Sequence, residues 1–348
     1  MEKSTFDEVH PYSAKLKKRD QPLYFSDLPY KRYAWQDRWQ QIRPQWLGPC
    51  AGEFFGVFCY CYAGIGAQAA FFYAEATNQA GFGSLFTIGA AYAIGIAFAV
   101  TTGGTSSGAC FNPAFVVALA TWRDFPWKRV PAYILAQLLG AVFACLVVYC
   151  QWHTELKVIE AAMIKGGKAA AVISASGPAG VFAFYPTTTP LKWVFANEFF
   201  ADFFIGLVFW GLIDFTNVFS SPVTVPIMVG LSYAVAIWGF VPLTVALNPA
   251  RDFGGRILAV MMWGRHAWGG KYSAIGLLTA FPATLFATFL YQFFLVDYSR
   301  VLTSAAREFD LARELRQEQY NALQRGDRRR TYTISGNSMQ SGRDSEEV

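Results

Sequence analysis

Two copies of the tripeptide Asn-Pro-Ala carry the side chains best suited to binding a polar solute. Asn is a strong helix N-cap and Pro is favoured at the first helical position, so each copy predicts the start of a helix. Ala in the third position lets a neighbouring backbone approach closely. Each Asn amide can also donate hydrogen bonds to a solute oxygen. The copies are Asn112, Pro113 and Ala114 in the first half of the chain, and Asn248, Pro249 and Ala250 in the second.

Arg251 and Asp252 follow the second copy directly, at a place where a buried helix is expected to be apolar. Adjacent residues on a helix do not face each other, so an ion pair between these two residues is disfavoured. Arginine stays charged and presents several N–H donors in a fixed fork. The sequence therefore places a permanent cation where an apolar side chain is expected, and Arg251 is a candidate functional residue.

Long apolar runs around these motifs predict a protein that crosses a membrane several times. The chain of 348 residues is 54% hydrophobic and only 15% charged, whereas soluble domains carry about 25% charged residues. A bilayer core about 30 Å thick requires about 20 apolar residues per helix. Six spans can be drawn, at about residues 47–73, 85–102, 130–151, 191–213, 223–240 and 273–296.

Two further apolar segments, at about 111–121 and 247–263, are too short to span, and each contains one Asn-Pro-Ala copy. Segments of this length are re-entrant or interfacial. Irregular backbone at membrane depth persists only where it is buried in protein or lines a wet cavity. Two such half-helices therefore predict a polar pathway through the membrane.

The two halves of the chain have the same order of parts. Each begins with a span that carries an early glutamate, Glu53 or Glu198, and each has a short helix after its second span. Three spans per half give the halves opposite orientations, and the site of such an inverted repeat lies near the midplane. The half-helix N-termini would meet there, each with roughly half a positive charge from the helix dipole, and such ends exclude protons and cations.

These parts define the predicted organisation of the chain. A channel domain covers 46–296 and consists of repeat one at about 46–151, a long loop at about 152–190 and repeat two at about 191–296. The tails, 1–45 and 297–348, are polar and basic, and the second tail is predicted to be largely disordered. Basic residues beside an even number of spans predict that both termini are cytoplasmic and the long loop extracellular, rather than a nucleic-acid-binding patch.

The paired Asn-Pro-Ala boxes on inverted three-span halves resemble the major intrinsic protein family, the aquaporins and aquaglyceroporins. The resemblance implies an all-α membrane protein with six transmembrane helices and two re-entrant half-helices, assembled as a homotetramer. It also implies that Glu53 and Glu198 hold the re-entrant loops by accepting backbone hydrogen bonds. The alternative for these two residues is a boundary charge that reaches to the membrane interface. Asp202, four residues after Glu198, has no assigned role.

Three marks resemble the glycerol-conducting branch of that family. Asp252 stands where water-only members usually carry a small residue. Arg256 follows Asp252 by one helical turn, at a position that tends to be basic in the glycerol branch. Pro282 is followed by small Ala283 where water-only members tend to carry an aromatic pair.

The resemblance further implies which residues form the narrowest part of the pathway. Arg251 stands at this constriction, on the extracellular side. Tyr92 matches the aromatic residue of the second span, which is usually Trp in the glycerol branch. Val245 occupies a position that is usually aromatic in that branch. The remaining position is either Ala236 or Ile237.

The sequence therefore predicts a passive channel for glycerol and water that excludes protons and ions and is not an enzyme. Its partners would be small neutral solutes and the lipid bilayer, and no cofactor or metal is expected, since the cysteines and histidines show no metal-ligand spacing. The alternatives are a water-selective channel of the same fold and an ion-coupled secondary transporter, in which inverted repeats and broken helices also occur. The stretch "ATWRDFPWKRVPAYILAQLLGA" resembles fungal members and indicates a plasma-membrane location. Thr331 and Thr333 follow arginines and are candidate phosphorylation sites.

Overall fold

The computed structural model describes residues 33–241, 245–297 and 299–324. Within these ranges the chain is helical and has no β-strand. The α-helices are α1 (Ala34–Ile42), α2 (Leu47–Thr77), α3 (Leu85–Ser107), α4 (Pro113–Trp122), α5 (Val130–Lys165), α6 (Leu191–Leu212), α7 (Thr224–Phe240), α8 (Pro249–Trp263), α9 (Tyr272–Leu278), α10 (Ala280–Phe294) and α11 (Ser304–Gln324).

The described residues 33–43 belong to a first unit of the chain, which ends at Arg43. Its helix α1 exposes three large apolar side chains, Trp35, Trp39 and Ile42. All the other helices belong to the second unit, which begins at Pro44.

The six predicted spans correspond to helices of the second unit, and the predicted fold class is confirmed. Five helical segments of the described chain are long and apolar enough to cross a bilayer, namely α2, α3, Trp127–Lys165, α6 and Tyr272–Phe294. The remaining span, α7, has 17 residues, which is at the lower end of the range of about 17–25 residues that crosses a bilayer.

The third span is longer than predicted. Helix α5 continues to Lys165, so residues 152–165 of the predicted loop are helical. This extension contains good helix formers and an ion pair between Lys157 and Glu160 at 3.0 Å, and pairs with this spacing stabilise a helix. The rest of the loop includes two short 3₁₀-helices, Ala169–Ile173 and Pro178–Val181.

The last span is interrupted, because α9 ends at Leu278 and α10 begins at Ala280. Pro282 explains the interruption, since it has no N–H to donate to the carbonyl of Leu278 four residues earlier. Pro282 itself is exposed and lies in the first turn of α10.

The prediction of a largely disordered tail at 297–348 is wrong for residues 304–324, which form α11. Ala, Leu, Glu and Arg dominate this stretch, and all four are strong helix formers. An ion pair of 3.1 Å between Asp310 and Arg313 adds support within the helix. Thr331 and Thr333 lie outside the described residues.

Close backbone contacts at glycines hold the spans together. A Cβ atom on Gly52 of α2 would lie 2.8 Å from the carbonyl oxygen of Gly103 on α3, and one on Gly230 of α7 would lie 2.3 Å from the carbonyl oxygen of Ala93 on α3. Small residues allow membrane helices to approach in this way. Helix α3 thereby packs against both α2 of the first half and α7 of the second.

Candidate solute pathway

Each Asn-Pro-Ala copy starts a half-helix, as the sequence predicts. Asn112 Oδ1 accepts from the backbone N–H of Ala114 at 2.9 Å, and α4 begins at Pro113. Asn248 Oδ1 accepts from the N–H of Ala250 at 2.9 Å, and α8 begins at Pro249. Both Asn side chains therefore cap a helix with their oxygen and keep their Nδ2 group for other partners.

The two half-helices meet end to end through these amides. Asn112 Nδ2 donates to the carbonyl oxygen of Leu247 at 3.1 Å, and Asn248 Nδ2 donates to that of Phe111 at 2.8 Å. Phe111 and Leu247 have φ angles of 48° and 59°, a left-handed region that costs energy for a bulky residue. The reciprocal hydrogen bonds stabilise this backbone, and they place two positive helix ends beside each other.

Two buried glutamates hold the loops that precede the half-helices. Glu53 accepts from the backbone N–H groups of Cys110 at 3.1 Å and Phe111 at 2.8 Å. Glu198 accepts from Ala246 at 2.9 Å and Leu247 at 2.7 Å. Glu53 and Glu198 are 0% and 2% exposed, so the alternative in which they reach the membrane interface is wrong.

Arg251 is buried and hydrogen-bonded to three different elements. Its Nε donates to the Tyr92 hydroxyl of α3 at 2.9 Å, and its Nη1 donates to the carbonyl of Phe182 in the long loop at 2.6 Å. Its Nη2 donates to the side-chain oxygen of Gln68 on α2. The guanidinium carbon also lies 4.5 Å from the ring centroid of Phe184, within the range of a cation–π contact.

Arg251 borders a narrow cavity of about 30 Å³, which has room for one or two waters. Tyr92, Val245 and Ile237 line this cavity, whereas the alternative Ala236 does not line it. The wall is mainly apolar, with polar groups supplied by Arg251, Gln68, Asn248 and three tyrosines. Its other lining residues are Tyr60, Gln68, Ile88, Phe184, Tyr233, Val241, Ala246, Leu247 and Asn248.

Sequence reasoning missed three of these contacts, those of Gln68, Phe182 and Phe184. The two phenylalanines lie in the long loop, outside the paired motifs, and nothing in their sequence context indicates that they reach the pathway. Gln68 does carry a signal, because it is a polar amide within the apolar run of the first span.

A larger cavity of about 380 Å³ lies on the other side of Asn248. Tyr60, Tyr233 and Asn248 line both cavities, so the pathway passes these three residues at its middle. Tyr233 also accepts a hydrogen bond of 3.0 Å from Asn112 Nδ2. The larger cavity is mainly apolar, with Arg123 and Arg313 among its lining residues.

Asp252 and Arg256 line neither cavity. They form an ion pair with an Nε–Oδ2 distance of 2.6 Å, and both side chains are fully buried. Arg256 Nη1 also donates to the carbonyl of Trp268 at 2.8 Å, and a Cβ on Gly276 of α9 would lie 2.6 Å from Asp252 Oδ2. The pair therefore fixes α8 against the segment that follows it.

Asp202 is 3% exposed and its Oδ2 has no hydrogen-bond partner among the described residues. It lines neither cavity. Within the described part of the chain, no group of three or more His, Cys, Asp or Glu residues is arranged to hold a metal ion.

An inverted pair of half-helices that meet inside a bundle of six spans defines a membrane channel fold. Residues 40–269 match the family model for the major intrinsic protein, and the chain belongs to that family. It is therefore an integral membrane protein that crosses the bilayer several times.

Several fungal proteins are similar to this chain. Aquaporin-3 of Laccaria bicolor is 40% identical, over 80% of this chain and 87% of the relative. The probable aquaglyceroporin-2 of Gibberella zeae is 30% identical, over 77% of this chain and 76% of the relative. The X-ray structure of the aquaglyceroporin from Plasmodium falciparum has a TM-score of 0.58 and 23% identity, covering 71% of this chain and 95% of that one. This structural likeness supports the fold.

Proposed function

We propose that this protein is a passive channel that conducts glycerol and water and excludes protons and ions. The observation that carries the proposal is the mixed wall of the narrow cavity. Arg251 and Asn248 supply N–H donors to this wall, while Ile237 and Val245 supply an apolar surface. A polyol has hydroxyl oxygens along one edge and carbon along the other, and it matches such a wall.

Charge explains why ions are excluded. Arg251 is a permanent cation at the narrow cavity, and the half-helices beyond it each present roughly half a positive charge at their N-termini. A cation must lose water to enter a space of about 30 Å³ and then meets only positive charge. A neutral solute meets the same groups as hydrogen-bond donors.

The two alternatives differ from the proposal in what they need from the pathway. A water-selective channel of the same fold does not need an apolar surface for carbon atoms, whereas Val245 and Ile237 provide one. An ion-coupled transporter needs a titratable group in the pathway. Asp202 is the acid left without a structural role, and it lines neither cavity.

The proposal includes the location, the oligomeric state and the orientation of the channel. The chain resides in the plasma membrane as a homotetramer with both termini cytoplasmic. Many large apolar side chains on the spans are exposed, such as Phe98, Phe143 and Phe200, and these surfaces suit contact with lipid or with another copy of the chain. The basic tails support the orientation.

Stopped-flow light scattering of proteoliposomes tests the conduction proposal. We expect water and glycerol to enter several-fold faster than into protein-free vesicles, with no dependence on sodium and no saturation. Fast water entry with glycerol entry at the level of protein-free vesicles would establish the water-selective alternative. Saturable flux that depends on pH or sodium would establish the transporter.

A further inference from the structure

We propose that Gln68 of the first span is a specificity-determining residue of the pathway, which sets the width of the narrow cavity and donates hydrogen bonds to the passing solute. The inference rests on the proposed conduction of polyols. It adds a second residue of α2, beside Tyr60, to a constriction that is otherwise formed by α3, α7, α8 and the loops.

Two residues of helix α2 that lie one turn apart contact the constriction. A Cβ atom on Gly64 would lie 2.3 Å from carbons of the Tyr92 ring, so the absence of a side chain at Gly64 lets that ring lie across the helix. Gln68 is on the same face, because residues four apart on a helix are neighbours. The Tyr92 hydroxyl donates to Gln68 Oε1 at 3.2 Å.

Hydrogen bonding fixes which end of the Gln68 amide faces Arg251. Arginine has only donors, so the group that meets Arg251 Nη2 must be the oxygen of Gln68. Arg251 Nε donates to Tyr92, and both Tyr92 and Arg251 donate to Gln68. These three side chains form a closed ring of hydrogen bonds, and the ring holds the Gln68 side chain against the cavity.

The closed ring leaves a defined set of donors for a solute. Arg251 uses one N–H each on Nε, Nη1 and Nη2, so Nη1 and Nη2 each keep a second N–H. Gln68 Nε2 has no acceptor among the described residues, and Gln68 lines the narrow cavity. A hydroxyl oxygen in this cavity therefore meets N–H groups from both residues, with Val245 and Ile237 available to its carbon atoms.

Two substitutions separate the width that Gln68 sets from the donors that it supplies. The rates at which water, glycerol and the longer polyol xylitol enter proteoliposomes are measured, and each polyol entry rate is divided by the water entry rate. Gln68→Ala is expected to raise the xylitol-to-water ratio several-fold, because it removes the side chain that narrows the cavity. Gln68→Met keeps the length but removes the amide, and it is expected to lower the glycerol-to-water ratio several-fold.

Gln151→Ala is the matched control, since Gln151 is an exposed glutamine of α5 that donates to the Tyr62 hydroxyl at 3.2 Å. It should leave both ratios unchanged. A purely structural role for Gln68 would lower all rates together and keep both ratios at the wild-type value. That result in Gln68→Ala and Gln68→Met overturns the inference.

The same measurements distinguish this inference from the proposed function. If the wild type conducts water but no glycerol, the proposed function fails, and gain of glycerol passage in Gln68→Ala would still support the role of Gln68, whereas no gain would overturn it. If Gln68→Ala does not reach the membrane, Gln68→Asn replaces it. Asn keeps the amide on a shorter side chain, and the xylitol-to-water ratio is expected to change in the same direction.

Discussion

Tyr233 determines what a solute meets at the middle of the pathway. The Nδ2 group of Asn112 has two N–H bonds, and these reach the carbonyl of Leu247 and the hydroxyl of Tyr233. Asn112 therefore has no N–H left for a solute. Asn248 uses one N–H on the carbonyl of Phe111, so the two equivalent residues of the repeat are unequal in the structure.

Replacing Tyr233 with Phe should raise conduction. The substitution removes one oxygen from the narrow middle and frees an Asn112 N–H beside the space that the hydroxyl leaves. A hydrogen bond contributes about 1 kcal/mol net, which corresponds to about fivefold in rate. We expect water and glycerol rates in proteoliposomes to rise by up to that factor.

Tyr60→Phe is the control for this substitution, because Tyr60 lines the same middle region but its hydroxyl makes only a long contact of 3.4 Å to the carbonyl of Phe111. It should change the rates less than Tyr233→Phe does. Unchanged or reduced conduction in Tyr233→Phe would show that its hydroxyl does not limit the flow.

Single residues were predictable from the sequence where their chemistry is local. Asn112 and Asn248 could be assigned because an N-cap followed by Pro acts on its own helix. Gln68 stands out as a polar amide in an apolar run, but its contacts with Tyr92 and Arg251 could not be predicted, because these residues are distant in the sequence and meet it only through helix packing.

At the scale of elements, the half-helices follow from the sequence, and the ends of the spans do not. Each half-helix begins at a cap and a proline that act locally. Helix α5 extends past the predicted end of its apolar run because good helix formers continue to Lys165 and one ion pair adds support. Hydropathy gives no signal for this extension. The opposite error occurs before α10. The continuous apolar run predicts one span, but Pro282 interrupts the helix.

Asp214 lies just after the span α6 and connects it to the last span. It follows α6, and its carboxylate accepts from the backbone N–H of Thr216 at 2.9 Å and from the Tyr291 hydroxyl of α10 at 2.9 Å. Burial alone would raise the pKa of Asp214, but these hydrogen bonds and the charge of Arg123 outweigh burial and lower the pKa below its ordinary value.

This lowered pKa predicts a pH-dependent stability. A group whose pKa is lower in the folded state stabilises the protein above its unfolded pKa, about 3.9 for Asp, and loses that contribution as the pH falls through the folded value. We expect Asp214→Asn to lower the melting temperature of the detergent-solubilised protein at pH 7. The difference from the wild type should shrink as the pH falls below about 4, towards the lowered folded value.

The matched control is Asp124→Asn, which makes the same change at an exposed aspartate. It should leave the melting temperature close to that of the wild type at pH 7 and at acidic pH. A deficit in Asp214→Asn that stays constant from neutral to acidic pH would contradict the assignment of stability to the charged form.

At the scale of the whole molecule, the two cavities of the pathway are bordered by different parts of the chain. The narrow cavity is bordered by the long loop through Phe184. The larger cavity is bordered by α11 through Arg313, and α11 is attached to the bundle by a hydrogen bond of 3.2 Å from Thr303 N to the carbonyl of Phe215. The inverted repeat could be predicted from the sequence. The difference between its two ends could not, because the long loop and α11, which border the two cavities, lie outside the repeated motifs.

Removing residues 304–348 should therefore raise water and glycerol rates in proteoliposomes several-fold, because it uncovers the larger cavity. The glycerol-to-water ratio should remain that of the full chain, since Arg251, Tyr92 and Gln68 lie at the other end of the pathway.

Arg313→Ala in the full chain tests the contribution of this one side chain, and it should raise the rates less than truncation does. Glu314→Ala, a substitution of the adjacent exposed residue, is its control. A changed ratio after truncation would mean that α11 acts on the constriction, and unchanged rates would mean that α11 does not restrict the pathway.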